Sequence, residues 1–174
     1  MHNFHNKNSI LIFLAANEFS EEEYSKVRQI CLNAGKQVFI TSDSNTVCNG
    51  DNGMKVRPDT NFYNINEKNF AAIILIGGKG SKTYQDNKTL HNITRSFNRA
   101  EKVVAAICSA PVILAHAGLL SKIQATCWSE GKNELINLGI EYKDMSVVVQ
   151  GNIITAEGPK SALQFTETVL NLIK

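Results

Sequence analysis

The chain has 174 residues, 43% of them hydrophobic, which suffices for one domain with a sizeable core. Eighteen Lys and Arg against sixteen Asp and Glu leave a formal charge of +2, with no basic block. That balance argues against nucleic acid or an anionic membrane as partner and leaves a small molecule as the expectation.

The first apolar run, SILIFLA at residues 9–15, is too short for a secretory signal core and runs on into Asn17 and Glu18. It reads as a first buried strand. Ser20-Glu21-Glu22-Glu23 has the S-x-x-E form of a capping box and opens a helix over residues 20–34, closed by Gly35 in a left-handed C-cap. Tyr24, Val27, Ile30, Cys31 and Ala34 recur on that helix at core spacing.

KQVFITS at 36–42 is a second strand, and residues 47–57, with Asn49-Gly50 and Asn52-Gly53, form a small hairpin. The Asn-rich stretch 61–69 reads as a loop. FAAIILI at 70–76 is another buried strand; even this longest apolar run is far short of the about 20 residues a membrane helix needs. A helix over 87–100, a strand VVAAIC over 103–108 and a helix over 110–117 follow. A second hairpin at 147–155 and a last helix at 161–173 complete the chain. Strands that are apolar throughout, alternating with helices, imply an α/β three-layer sandwich: a mainly parallel sheet with helices on both faces. A single domain spans residues 1–174.

In such a sheet, sites form beyond the carboxyl ends of the strands. Cys108 lies where a strand turns into a helix, a nucleophile elbow at which backbone donors and the helix end would lower a thiol pKa. Ala105, Ala106, Ser109 and Ala110 are small enough for that turn, and Pro111 suits the first helical turn. As one cysteine in an apolar run, Cys108 equally fits a packed core position. Gly77 and Gly78 end another strand and can present N–H groups to a developing oxyanion, or only make a turn. Glu23 can serve the helix cap or, as a buried acid, donate a hydrogen bond to sulfur.

His2 and His5 lie in the N-terminal tail, and His116 is about 12 Å along its helix from Cys108, too far to take the thiol proton. His91 cannot be placed from sequence; none of the four is expected to act as base. Cys31, Cys48, Cys108 and Cys127 contain no C-x-x-C pair, so reduced thiols in a cytoplasm are expected, with no metal and no cofactor.

The segments LAANEFSEEEY (14–24), LIGGKG (75–80), AAICSAPVILAHAGLL (105–120) and ITAEGP (154–159) together resemble the ThiJ/PfpI superfamily, which includes the Parkinson-disease protein deglycase and PfpI-type intracellular peptidases. The resemblance implies a flavodoxin-like fold related to class I glutamine amidotransferases, assembled as a homodimer or larger homo-oligomer. It places the reactive cysteine at Cys108, the strand-end glycines at Gly77 and Gly78, and the buried glutamate at Glu23, with Glu22 as the alternative. It implies activity on small aldehydes or glycated adducts, or a redox-stress sensor or chaperone that uses oxidation of Cys108.

Three departures matter. Where the peptidases place a histidine and an acid, this chain has Ser109 and Lys82, so the peptidase triad is absent. The deglycase branch's histidine falls at or beside Trp128, with Cys127 as a neighbour that either pairs with an oxidised Cys108 or simply packs. The family's turn arginine is Glu157.

Overall fold

The apolar runs become the central strands of a seven-stranded sheet, and the helices that follow them lie on its two faces. The structure is a computed structural model that describes residues 8–44 and 46–173. In chain order, β1 (Ser9–Phe13) and β2 (Asn17–Phe19) lead into α1 (Glu21–Asn33), followed by β3 (Gln37–Ser42), β4 (Cys48–Gly50), β5 (Lys55–Val56) and β6 (Thr60–Asn61). Next come β7 (Ala72–Leu75), α2 (Lys88–Arg99), β8 (Val103–Ile107) and α3 (Pro111–His116). The remainder comprises β9 (Gln124–Ala125), α4 (Lys132–Asn137), β10 (Glu141–Tyr142), β11 (Val147–Gln150), β12 (Ile153–Ala156) and α5 (Ala162–Leu172).

The main sheet runs β11-β12-β8-β7-β1-β3-β6, parallel throughout except for the β11–β12 hairpin. Side chains alternate between its faces. Leu11 and Phe13 of β1 pack with Leu90 and Phe97 of α2 and with Val112 and Ile113 of α3. Ile10 and Ile12 point the other way, to Val27 and Cys31 of α1 and Phe165 and Val169 of α5. Connections leave β1 toward β3 on one side and run from β7 to β8 on the other, so the order reverses between β1 and β7, where an open sheet of this kind leaves a crevice.

Both hairpins form, β4 with β5 and β11 with β12. The segment 61–69 is more ordered than a loop: Asn61 and Asn66 each accept the backbone N–H two residues on and cap two short 3-10 turns. Strands β2, β6, β9 and β10 and helix α4 have no counterpart among the sequence expectations. Among the described residues no helix is long and apolar enough to cross a membrane.

A candidate nucleophile site at the strand ends

Cys108 follows β8 with a φ of 65°, the left-handed conformation that costs a non-glycine residue of order 1–3 kcal/mol. Two backbone bonds hold it there: its N–H donates to Ala156 O at 2.9 Å, and its carbonyl accepts from Trp128 N at 2.7 Å. The turn therefore points the Cys108 side chain toward the end of β7. A Cβ built on Gly77 would meet Cys108 Cβ at 2.7 Å and Glu23 Oε2 at 3.1 Å. Glycine at 77 is what lets the thiol and the carboxyl approach each other.

Glu23 is fully buried on the first turn of α1. The capping box is only half made. Ser20 Oγ accepts the Glu23 N–H, but the Ser20 N–H goes to Gly77 O, which frees the Glu23 carboxyl from the helix end. Its Oε2 accepts the Gly77 N–H at 3.0 Å, and its Oε1 is buried with no hydrogen-bond partner. Burial raises the Glu23 pKa from 4.5 to about 7. Burial also pushes the Cys108 thiol up from 9.0 to about 12, with the charge of Glu23 and the hydrogen bond to it adding to the rise, against lowering contacts from Ser109.

The elbow by itself therefore does not lower the thiol, as the sequence suggested it would, because the sulfur is largely enclosed and α3 has only six residues. What the pair resists is two negative charges. With Glu23 protonated, its O–H donates to sulfur and favours thiolate; with Glu23 ionised, the thiol donates to the carboxylate.

These groups open into a cleft of about 510 Å³ that also includes Gly78, Ser109 and Trp128. The Gly78 N–H donates to Ser109 Oγ at 3.1 Å, and the Ser109 N–H faces the Cys108 sulfur. Lys79 and Pro159, from the quoted LIGGKG and ITAEGP segments, complete the wall with Asp51 and Glu130, which carried no signal in the sequence and are brought in by loops from distant segments. Lys82 and Glu130 form an exposed ion pair at 2.9 Å on its rim.

Trp128 is half-exposed, stacks on Gly158 and also lines a second cleft of about 430 Å³ with Tyr142 and Glu157. Glu157 is held by Ser146 and Ser161. The side chain of Cys127 lines that second cleft and not the first, and it packs in the cluster on the opposite sheet face from the one that Cys108 joins. The packed reading of Cys127 describes it. All four cysteines are free.

The expectation for His2 and His5 lies outside the described residues. His91 is buried with Nε2 on Gln85 O at 2.7 Å, and His116 bridges Asp86 at 3.0 Å and Glu134 at 2.7 Å. Neither lines the Cys108 cleft. No group of three or more His, Cys, Asp or Glu among the described residues could hold a metal ion.

The model of the DJ-1/PfpI family matches residues 8–172. The chain belongs to the DJ-1/PfpI family. It is 36% identical over 168 residues to an uncharacterized protein of Methanocaldococcus jannaschii, covering 95% of this chain and 82% of that one. It is 31% identical over 164 residues to the deglycase PfpI of Pyrococcus furiosus, covering 94% of this chain and 99% of the relative. The crystal structure of a ThiJ/PfpI domain protein from Brachyspira murdochii superposes with a TM-score of 0.92 at 30% identity, over 95% of this chain and 96% of the other. The DJ-1/PfpI assignment agrees with the flavodoxin-like sandwich described above.

Proposed function

We propose that this protein is a cysteine-dependent enzyme that acts on small aldehydes or glycated adducts, in the manner of a glyoxalase or deglycase. The observation that carries this reading is the juxtaposition of Cys108 and Glu23 about Gly77, a nucleophile and a proton donor with a pKa of about 7 in the same cleft. Sulfur adds to the carbonyl carbon while the carbonyl electron pair moves to oxygen. The Glu23 proton then neutralises that oxygen, giving a hemithioacetal and a carboxylate. The backbone N–H groups of Ser109 and Gly78, two residues of the cleft wall, are the candidate donors to that oxygen. The similarity to a relative named as a deglycase supports the same reaction class.

The direct assay is methylglyoxal consumption. Cys108→Ser is expected to abolish it, and Glu23→Gln to lower kcat/KM at least about a hundredfold, the lower end of what a positioned proton donor contributes. Consumption that persists in Cys108→Ser rules this chemistry out.

A second reading rests on the lack of any imidazole in the cleft among the described residues: without a base, the thiolate would serve as a peroxide sensor, oxidised to sulfenic and then sulfinic acid. Peroxide-driven sulfinate at Cys108 without dicarbonyl consumption selects it. Homodimer or larger homo-oligomer assembly and a cytoplasmic setting, which suits four free thiols, complete the proposal. Sedimentation gives the former.

A further inference from the structure

Two serine hydroxyls crowd the backbone of Gly78. Ser109 Oγ accepts the Gly78 N–H at 3.1 Å, lies 3.0 Å from the Gly78 carbonyl oxygen and stands 2.7 Å from Ser81 Oγ. Ser81 is fully buried and donates to the same carbonyl at 2.9 Å. Gly78 itself cannot yield: its φ is 110°, and a Cβ there would drive into the Glu18 carbonyl oxygen and come within 2.5 Å of Ser20 N. The N–H is therefore fixed in the wall of the Cys108 cleft, and a side-chain oxygen already occupies it.

The second backbone donor, the Ser109 N–H, is engaged with the Cys108 sulfur. With these partners in place neither donor is open to an oxygen of a substrate. Serine, unlike the fixed backbone around it, can move its oxygen by rotation about a single bond.

We propose that Ser109 is a displaceable plug: its hydroxyl caps the Gly78 N–H at rest, and the carbonyl oxygen of a substrate attacked by Cys108 must displace it to be stabilised. This deepens the carbonyl-addition reading and depends on it. Ser109 thereby acts in two opposed ways on one cysteine. Its backbone N–H faces the sulfur and favours the thiolate, which aids any reaction of Cys108. By holding the Gly78 N–H its hydroxyl opposes only those reactions that build an oxyanion. Alkylation at a saturated carbon builds none.

The experiment compares wild type with Ser109→Ala in two reactions of Cys108, methylglyoxal consumption and iodoacetamide alkylation, and reads exchange of the Gly78 amide by NMR. Expected for Ser109→Ala are a rise of about threefold to tenfold in kcat/KM for methylglyoxal, the net worth of one hydrogen bond, with alkylation unchanged or slower. The Gly78 amide should exchange about tenfold faster once its cap is gone. A fall in both reactions together, as a merely structural serine would give, overturns the plug. So does an unchanged Gly78 amide rate. If neither protein consumes methylglyoxal while Cys108 still alkylates, the carbonyl reading fails, and the amide exchange alone decides whether Ser109 caps Gly78.

Discussion

The Cys108 thiol and the Glu23 carboxyl adjoin across Gly77 and each raises the cost of charging the other, so the first proton lost by the pair leaves one negative charge that either group can carry. Thiolate beside a protonated acid and thiol beside a carboxylate contain the same number of protons, and their ratio does not change with pH. Only the first of these reacts. The alkylation rate of Cys108 should therefore climb as pH rises through about 7 and then stay flat toward about 12, where the second proton leaves. Glu23→Gln removes the second titrating group, and the flat region should give way to a single sigmoid. Iodoacetamide rates between about pH 5 and about pH 10, read at Cys108 by mass spectrometry, bracket the first step. A wild-type profile with one step that the Gln variant leaves unmoved would show that the carboxyl does not reach the sulfur in solution.

The turns after β7 and β8 are where element geometry sets the chemistry, and each depends on a residue that the backbone constrains. Gly78→Ala combines a positive φ with an overlap on the Glu18 carbonyl and should cost upward of about 2 kcal/mol in urea unfolding, as well as displacing the N–H that Ser109 caps. A loss below about 0.5 kcal/mol would mean that the turn has another conformation. These turns were legible in the sequence because long apolar strands mark their own ends, and Gly77, Gly78, Cys108 and Ser109 follow directly. The central strands were legible for the same reason. Strands β9 and β10 have two residues each and exist only through pairing across 17 positions of chain, Gln124 with Glu141, which no local pattern encodes. Half of the capping box was also illegible: the S-x-x-E spacing is right and Ser20 Oγ takes the Glu23 N–H, yet the Gly77 carbonyl and amide claim the two partners of the return bond, the Ser20 N–H and the Glu23 carboxyl. Asp51 reaches the cleft because the β4–β5 hairpin is pinned to α1, with Glu21 accepting the N–H groups of Asn52 and Met54. Such contacts lie some 30 residues apart and leave no period to read.

For the whole molecule, the buried acid and the doubly bound histidine make stability depend on pH in adjoining windows. Glu23 ionises at about 7 when folded and at 4.5 in the reference state, so between these values the folded protein holds a proton that the unfolded chain has released. Its contribution is fully present below 4.5 and falls as pH rises toward 7. The full difference amounts to at most roughly 3–4 kcal/mol. His116 is pulled down by burial, but its hydrogen bonds to Glu134 and Asp86 outweigh this and raise it above 6.5. Its contribution is fully present below 6.5 and is lost as pH rises through the folded value, which loosens the link from α3 to α4 and to the segment before α2. Both effects have the same sign and oppose that of His91, which burial holds below 6.5, so in urea unfolding each decline is read as the difference between wild type and the matching variant. The two variants separate the windows: Glu23→Gln should flatten the decline between 4.5 and about 7 and leave the upper part, whereas His116→Gln should flatten the part above 6.5 and leave the lower. Decline of equal slope in wild type and both variants would place the pH dependence in other groups and would remove the support for a buried, protonated Glu23 beside Cys108.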